Sequence, residues 1–166
     1  MDIDKQECPC GGGEFAQCCQ PVIAGEVRAS SPERLMRARY SAYATGSIDF
    51  LETSNHSKTR RHFDPESAGR WSGESRWLGL NILGSDSSTP DRAHVNFEAR
   101  YEDRDGTPVL HRERSLFERE DGEWRFVSGG RSLPSHRRSD ATSLAPAAPE
   151  RNSRSAAARE PHKSAA

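Results

Sequence analysis

All four cysteines of the chain fall within twelve positions, in the run CPCGGGEFAQCC that carries Cys8, Cys10, Cys18 and Cys19. Four soft thiolates so close together are the donor set of a tetrahedral zinc ion, and with no position left for water such a site is structural rather than catalytic. Pro9 stiffens the first ligand pair, while Gly11, Gly12 and Gly13 let the backbone turn sharply and approach a metal closely. A segment of about twenty residues cannot supply a hydrophobic core, so the metal takes that role. A set of free or redox-active thiols is the competing reading.

A second group able to do chemistry lies on the run VLHRERSLF. Alternation along a strand puts Val109, His111, Glu113, Ser115 and Phe117 on one face, and the apolar ends of that set turn it toward the interior. A histidine and a carboxylate two apart, near aromatic residues such as Trp77, Tyr101 and Trp124, form a candidate acid/base pair for a small ligand. The pocket residues expected on this basis are His111, Glu113, Tyr40, Tyr43, Trp77 and Tyr101. The competing reading is structural, with buried polar groups satisfied by helix backbone, tyrosine hydroxyls or arginines. With the opposite parity Arg112 and Arg114 would face inward instead. His56 reads as a surface or cap histidine, and Tyr40 and Tyr43 belong to the core first.

The elements that position these groups have clear grammar. SSPERLMRARYSAYATGS predicts a helix with Ser31 as N-cap, Pro32 in the first turn and Gly46 as terminator; Leu35, Met36, Arg39, Tyr40 and Tyr43 recur at spacings of three and four on its buried face. A short helix is expected over IDFLETSNH and another over DPESAGRWSGES, where Asp64 caps and Pro65 starts. From Arg76 onward the period becomes two: Ala93, Val95, Phe97, Ala99 and Tyr101 share a face. RWLGLNIL precedes this strand, TPVLHRERSLFERE and GEWRFVSG follow, and turns are signalled at Asp103–Gly106 and Asp121–Gly122. Helices followed by a four-strand meander define an α+β domain.

Every Trp, Tyr and Phe lies before residue 131, whereas 131–166 holds nine Ala, seven Ser and four Pro with only Leu133 and Leu144 as large apolar side chains. Such a segment cannot offset its chain entropy by burial and is expected to be a disordered tail, basic where the body is acidic. The opening MDIDKQECPC has neither a basic n-region nor an apolar h-region, so a secretory signal is not expected, and no run is long enough to span a membrane. A cytoplasmic protein follows, whose clustered cysteines stay reduced.

CPCGGGEFAQCC resembles a SEC-C motif, the zinc knuckle also found at the C-terminus of the SecA translocase ATPase, with seven residues between the cysteine pairs where the common form has eight. Beyond it, PVIAGEVRASSPERLMRARYSAYATGSIDFLETSNH, FDPESAGRWSGESRWLGLNIL, VNFEARY and LHRERSLFEREDGEWRFVSG are similar to the YchJ family of bacterial proteins, over about residues 8–130. The resemblance implies a zinc knuckle, placed over 1–25, and a nuclear transport factor 2-like cone of helices on a curved antiparallel sheet over 30–130; composition sets the tail at 131–166. Some relatives carry a second SEC-C motif at the C-terminus, but this tail contains no cysteine. The family brings no established activity with it.

The expected function is that of a zinc-binding protein-interaction or adaptor module, docking on another protein through the knuckle, with room for a small molecule in the cone. The alternative is a small-molecule enzyme of isomerase, dehydratase or hydrolase type with chemistry in the cone; the sequence contains no catalytic motif that names one. A membrane partner is not expected. Neither is nucleic acid, because the body is acidic and has no concentrated basic face.

Overall fold

The computed structural model describes residues 5–131; the predicted tail beyond Arg131, which itself ends the last strand, lies outside the described residues. A cysteine-bearing segment leads through a 3-10 turn at Phe15–Gln17 and helix α1 (Gln20–Ile23) into the long helix α2 (Pro32–Thr45). Helices α3 (Ile48–Thr53), α4 (Ser57–Arg60) and α5 (Pro65–Glu74) follow. Strands β1 (Arg76–Thr89), β2 (Arg92–Glu102), β3 (Pro108–Glu120) and β4 (Glu123–Arg131) then form one antiparallel sheet in the order β1-β2-β3-β4. The α+β meander read from the sequence is the architecture observed.

Helix α2 begins and ends as its sequence dictates. The Ser31 hydroxyl accepts the Arg34 amide at 3.1 Å, Pro32 occupies the first turn, and Gly46 closes the helix in the left-handed region at φ 76°, where a side chain would be strained. Eight of its fourteen positions are buried, including Leu35, Met36, Ala38, Arg39, Tyr40 and Tyr43. It is the spine on which both the cysteine segment and the sheet pack. Helix α5 starts at Asp64, whose carboxylate accepts the Glu66 and Ser67 amides.

The expected helix over IDFLETSNH stops early, at Thr53. The backbone there has another partner: Phe126 N–H donates to Ser54 O at 2.9 Å and His56 N–H to Phe126 O at 2.7 Å, so residues 54–56 are stitched to β4 rather than wound into a helix. His56 is the cap predicted, its Nδ1 accepting the Lys58 amide at 3.2 Å in front of α4.

On the sheet, alternation holds as read: Ala93, Val95, Phe97, Ala99 and Tyr101 are all buried, and so are His111, Glu113, Ser115 and Phe117 on the neighbouring strand. The register pairs Ala99 with His111 and Phe97 with Glu113, so the two polar residues sit over the middle of the concave face. Strand β1 runs on to Thr89, past the predicted RWLGLNIL, and register shifts at Trp77/Gly79, Ile82/Gly84 and Ser87/Thr89 break its ladder. Such bulges bend a strand and raise its twist, which is how the sheet curves around α2. The β3–β4 hairpin turns on Asp121 and Gly122, both with positive φ, the pair that suits a tight two-residue turn.

Candidate metal centre and cone cavity

The cysteine segment folds back on itself through local backbone bonds. Cys8 N–H donates to Gly13 O at 2.7 Å, Gly11 N–H to Cys8 O at 2.8 Å, and Phe15 N–H to Gln6 O at 2.7 Å. These close a small loop and aim the sulfurs inward: all four Sγ atoms lie within 4.8 Å of one another. Cys10 is 3.5 Å from Cys18 and 3.6 Å from Cys19, and Cys18 is 3.8 Å from Cys19. No pair is bonded as a disulfide. Gly12 is required by this approach, since a Cβ there would stand 2.9 Å from Cys18 Sγ and 3.2 Å from Cys10 Sγ.

The donor set has the chemistry of a cation site. Hydrogen bonds from neighbouring thiols, Cys10 first, push Cys8 toward the thiolate, whereas burial lifts Cys18 to about 11 and Cys19 is raised by its hydrogen bonds to Cys10 and Cys8. One anion is stabilised by its neighbours and the next is opposed, so four thiolates can coexist only around a positive ion. The four cysteines fit a bound metal, and the metal would supply the core that this segment lacks.

The surroundings of the site come from α2. Ser41 Oγ lies 3.4 Å from Cys8 Sγ. Arg34 donates to Cys18 O at 3.0 Å, and Arg37, paired with Glu33 at 3.1 Å, donates to Cys10 O at 3.2 Å. The cysteines also share one apolar cluster with Val22, Leu35, Met36 and Tyr40. The knuckle is clamped to the body by polar and apolar contacts together.

At the cone, His111 and Glu113 meet as their parity predicts. His111 Nε2 is hydrogen-bonded to Glu113 Oε2 at 3.0 Å, and Ser115 donates to the other carboxylate oxygen at 2.6 Å. Both side chains are sealed, His111 at 3% exposure and Glu113 at 2%. The rings of Trp71 and Phe97 lie 6.1 and 5.9 Å from the imidazole, and His111 Nδ1 meets no polar partner among the described residues. Tyr40, Trp77 and Tyr101 are likewise committed to packing: Trp77 sits 5.6 Å from Tyr40, 5.7 Å from Tyr43 and 5.2 Å from Tyr101. Of the six residues expected to line a pocket, only Tyr43 lines the cone cavity. The other five are displaced from it because interlocking rings fill the space that alternation alone left open.

That cavity, about 300 Å³, opens beside the predicted pair rather than on it. Arg39 and Tyr43 of α2, Asn55, Phe63, Phe126 and Gly129 form its walls. Gly129 separates it from Glu113, and any side chain on Gly129 would collide with that carboxylate. The sequence carried one sign of this arrangement, an arginine set within the apolar stripe of α2. Asn55, Phe63 and Gly129 left no such sign.

Two solved structures of SEC-C motif containing proteins share this fold. The solution structure of a SEC-C motif containing protein from Rhodopseudomonas palustris superposes with a TM-score of 0.71 at 37% identity, covering 77% of this chain and 100% of that one. The crystal structure of another, from Psychrobacter arcticus, gives 0.69 at 25% identity, covering 81% and 88%. Within this class the chain belongs to the YchJ family: residues 31–129 match the family described as YchJ, middle NTF2-like domain. A UPF0225 protein of Geobacter sulfurreducens is 37% identical over 125 residues, 74% of this chain and 77% of its own length. One from Xanthomonas campestris is 43% identical over 121 residues, 72% and 91%.

Proposed function

We propose that the chain is a zinc-binding adaptor of the cytoplasm, in which a structural zinc holds the knuckle rigid so that its outer surface can dock on another protein, while the cone offers room for a small molecule. The observation that carries this reading is the closure of the sulfur site. Tetrahedral zinc with Zn–S bonds of about 2.3 Å needs sulfurs about 3.8 Å apart, and the thiols already stand near that spacing. Four sulfurs leave no coordination position for a substrate. A reducing compartment keeps such thiols available to metal.

The surface that remains is a compact ridge, with Lys5–Glu7 and Gly11–Glu14 exposed and their backbone fixed from below by the metal site and by Arg34 and Arg37. Nucleic acid fits this molecule poorly, because arginines on the outer face of the sheet are matched by carboxylates, Arg112 with Glu98 and Arg114 with Asp86. Chemistry at His111 and Glu113 has little support, since neither lines the cone cavity. A photo-crosslinking residue at Gln17, on the exposed knuckle, should capture one discrete protein in cells, and the same residue at Ser87 on the far end of β1 should not. Identical adducts from both positions, or none from metal-replete protein at Gln17, would contradict the adaptor role.

A further inference from the structure

The cone cavity contains a buried positive charge that no carboxylate of the described residues meets in a direct ion pair. Arg39 is 3% exposed and lines the cavity, and among the described residues its hydrogen bonds leave from Nη1, to Leu51 O at 2.9 Å and Ser54 Oγ at 2.6 Å. Its guanidinium lies 4.1 Å over the Phe126 ring, and no carboxylate among the described residues forms an ion pair with it. Glu113 acts on Arg39 through space without contacting it, and its carboxylate oxygens are already engaged by His111 and Ser115. A guanidinium has five N–H donors, and a buried cation without a counter-ion is expensive unless something else supplies the negative charge. Burial draws Arg39 down only to about 10, so it is charged at neutral pH. Tyr43 beside it is pushed up to about 12 by burial and keeps its proton.

We propose that the cavity binds a small organic monocarboxylate, its carboxylate against Arg39 and its apolar body between Phe63, Ala68 and Phe126. This rests on reading the cone as a ligand pocket. One guanidinium balances one negative charge, and the Glu113 carboxylate behind Gly129 together with Asp64 at the rim oppose a second. That electrostatic setting favours a carboxylate over a phosphate dianion. The walls are chiefly apolar, and a volume of about 300 Å³ admits an acid with a short alkyl chain or a single ring.

The test is an NMR titration of the metal-loaded full chain with hexanoate, phenylacetate and their carboxamides, and with inorganic phosphate. Both acids are expected to shift the amides of Asn55, Phe63 and Gly129 saturably, and the uncharged amides to bind about tenfold or more weakly, as loss of a charge-assisted hydrogen bond does. Arg39→Gln should remove that preference; if this variant does not fold, the acid and amide comparison on the unaltered chain decides alone. Amides binding as tightly as acids, or phosphate binding more tightly than either acid, would overturn the monocarboxylate assignment while leaving a pocket. No shift at the cavity amides with any of the five probes would overturn the pocket reading itself.

Discussion

Two buried polar clusters lie against different faces of α2, and they are stabilised in opposite ways. Toward the knuckle, Arg34, Arg37 and Ser41 face four sulfurs that need a cation from outside the chain. Toward the cone, Glu113 is hydrogen-bonded to Ser115 at 2.6 Å and to His111 at 3.0 Å, and the neighbouring Arg39 forms no direct ion pair among the described residues. The knuckle cluster comes from twelve consecutive residues and depends on a ligand for its fold. The cone cluster joins strand β3 to Arg39 of α2 and is folded by hydrophobic packing; on the proposed reading Arg39 is what a ligand would meet. On the proposed reading the chain uses a bound group as a structural core at one end and as an occupant at the other.

The largest effect should come from the metal. Removing it with a chelator, or replacing Cys10 by Ser, should release residues 5–27 and also lower the melting temperature of the sheet, because the cysteines share an apolar cluster with Leu35, Met36 and Tyr40. Structural zinc contributes on the order of 10 kcal/mol or more to small zinc-binding folds. Circular-dichroism melting with amide spectra of both regions measures it; a sheet that melts unchanged would break the comparison by making the two ends independent.

On the cone side, Gly129→Ala should destabilise by about 1–3 kcal/mol, the range for overpacking, as the new methyl meets the Glu113 carboxylate. Urea unfolding gives the figure, and an unchanged midpoint would mean that Glu113 is free to move away. A subtler effect is expected of Ser41→Ala, which removes the hydroxyl 3.4 Å from Cys8 while leaving all four ligands. Groups of this kind typically alter metal affinity by about tenfold or more, so transfer of metal to a competing chelator should be favoured while the cone keeps its stability. Equal competition curves would show that Ser41 only fills space.

The smallest effect concerns Asp64. Hydrogen bonds from the Ser67 hydroxyl and from the Ser67 and Glu66 amides hold its carboxyl below the usual carboxylate range. Because the folded value is the lower one, its contribution is present above the ordinary pKa and is lost as pH falls through the depressed value. Asp64→Asn should therefore lower the melting temperature slightly at neutral pH, with the difference from the parent chain shrinking in acid. A difference that grows on acidification would contradict this cap.

Much of this was legible because the signals are local. Caps at Ser31 and Asp64, the strict alternation from Ala93 to Tyr101, and four cysteines in one short run each record a constraint within a few residues. The inward face of His111 and Glu113 was readable for the same reason. Whether that face was open was not, because it depends on Trp71 from α5 and Phe97 from β2 closing over the imidazole. Nor did the sequence show the knuckle clamped to the body: Arg34 and Arg37 look like solvent-facing helix residues until the carbonyls of Cys18 and Cys10 arrive from the other end of a loop. The early end of α3 was hidden likewise, in a backbone pairing with a strand some seventy residues away.

The central claim is that Cys8, Cys10, Cys18 and Cys19 are the whole ligand set of one structural zinc. X-ray absorption at the zinc edge of freshly purified, reduced protein tests it most directly. About one zinc per chain is expected, with a first shell of four sulfurs at about 2.3 Å. A shell containing nitrogen or oxygen donors, or protein isolated without metal yet with the knuckle folded, would contradict it.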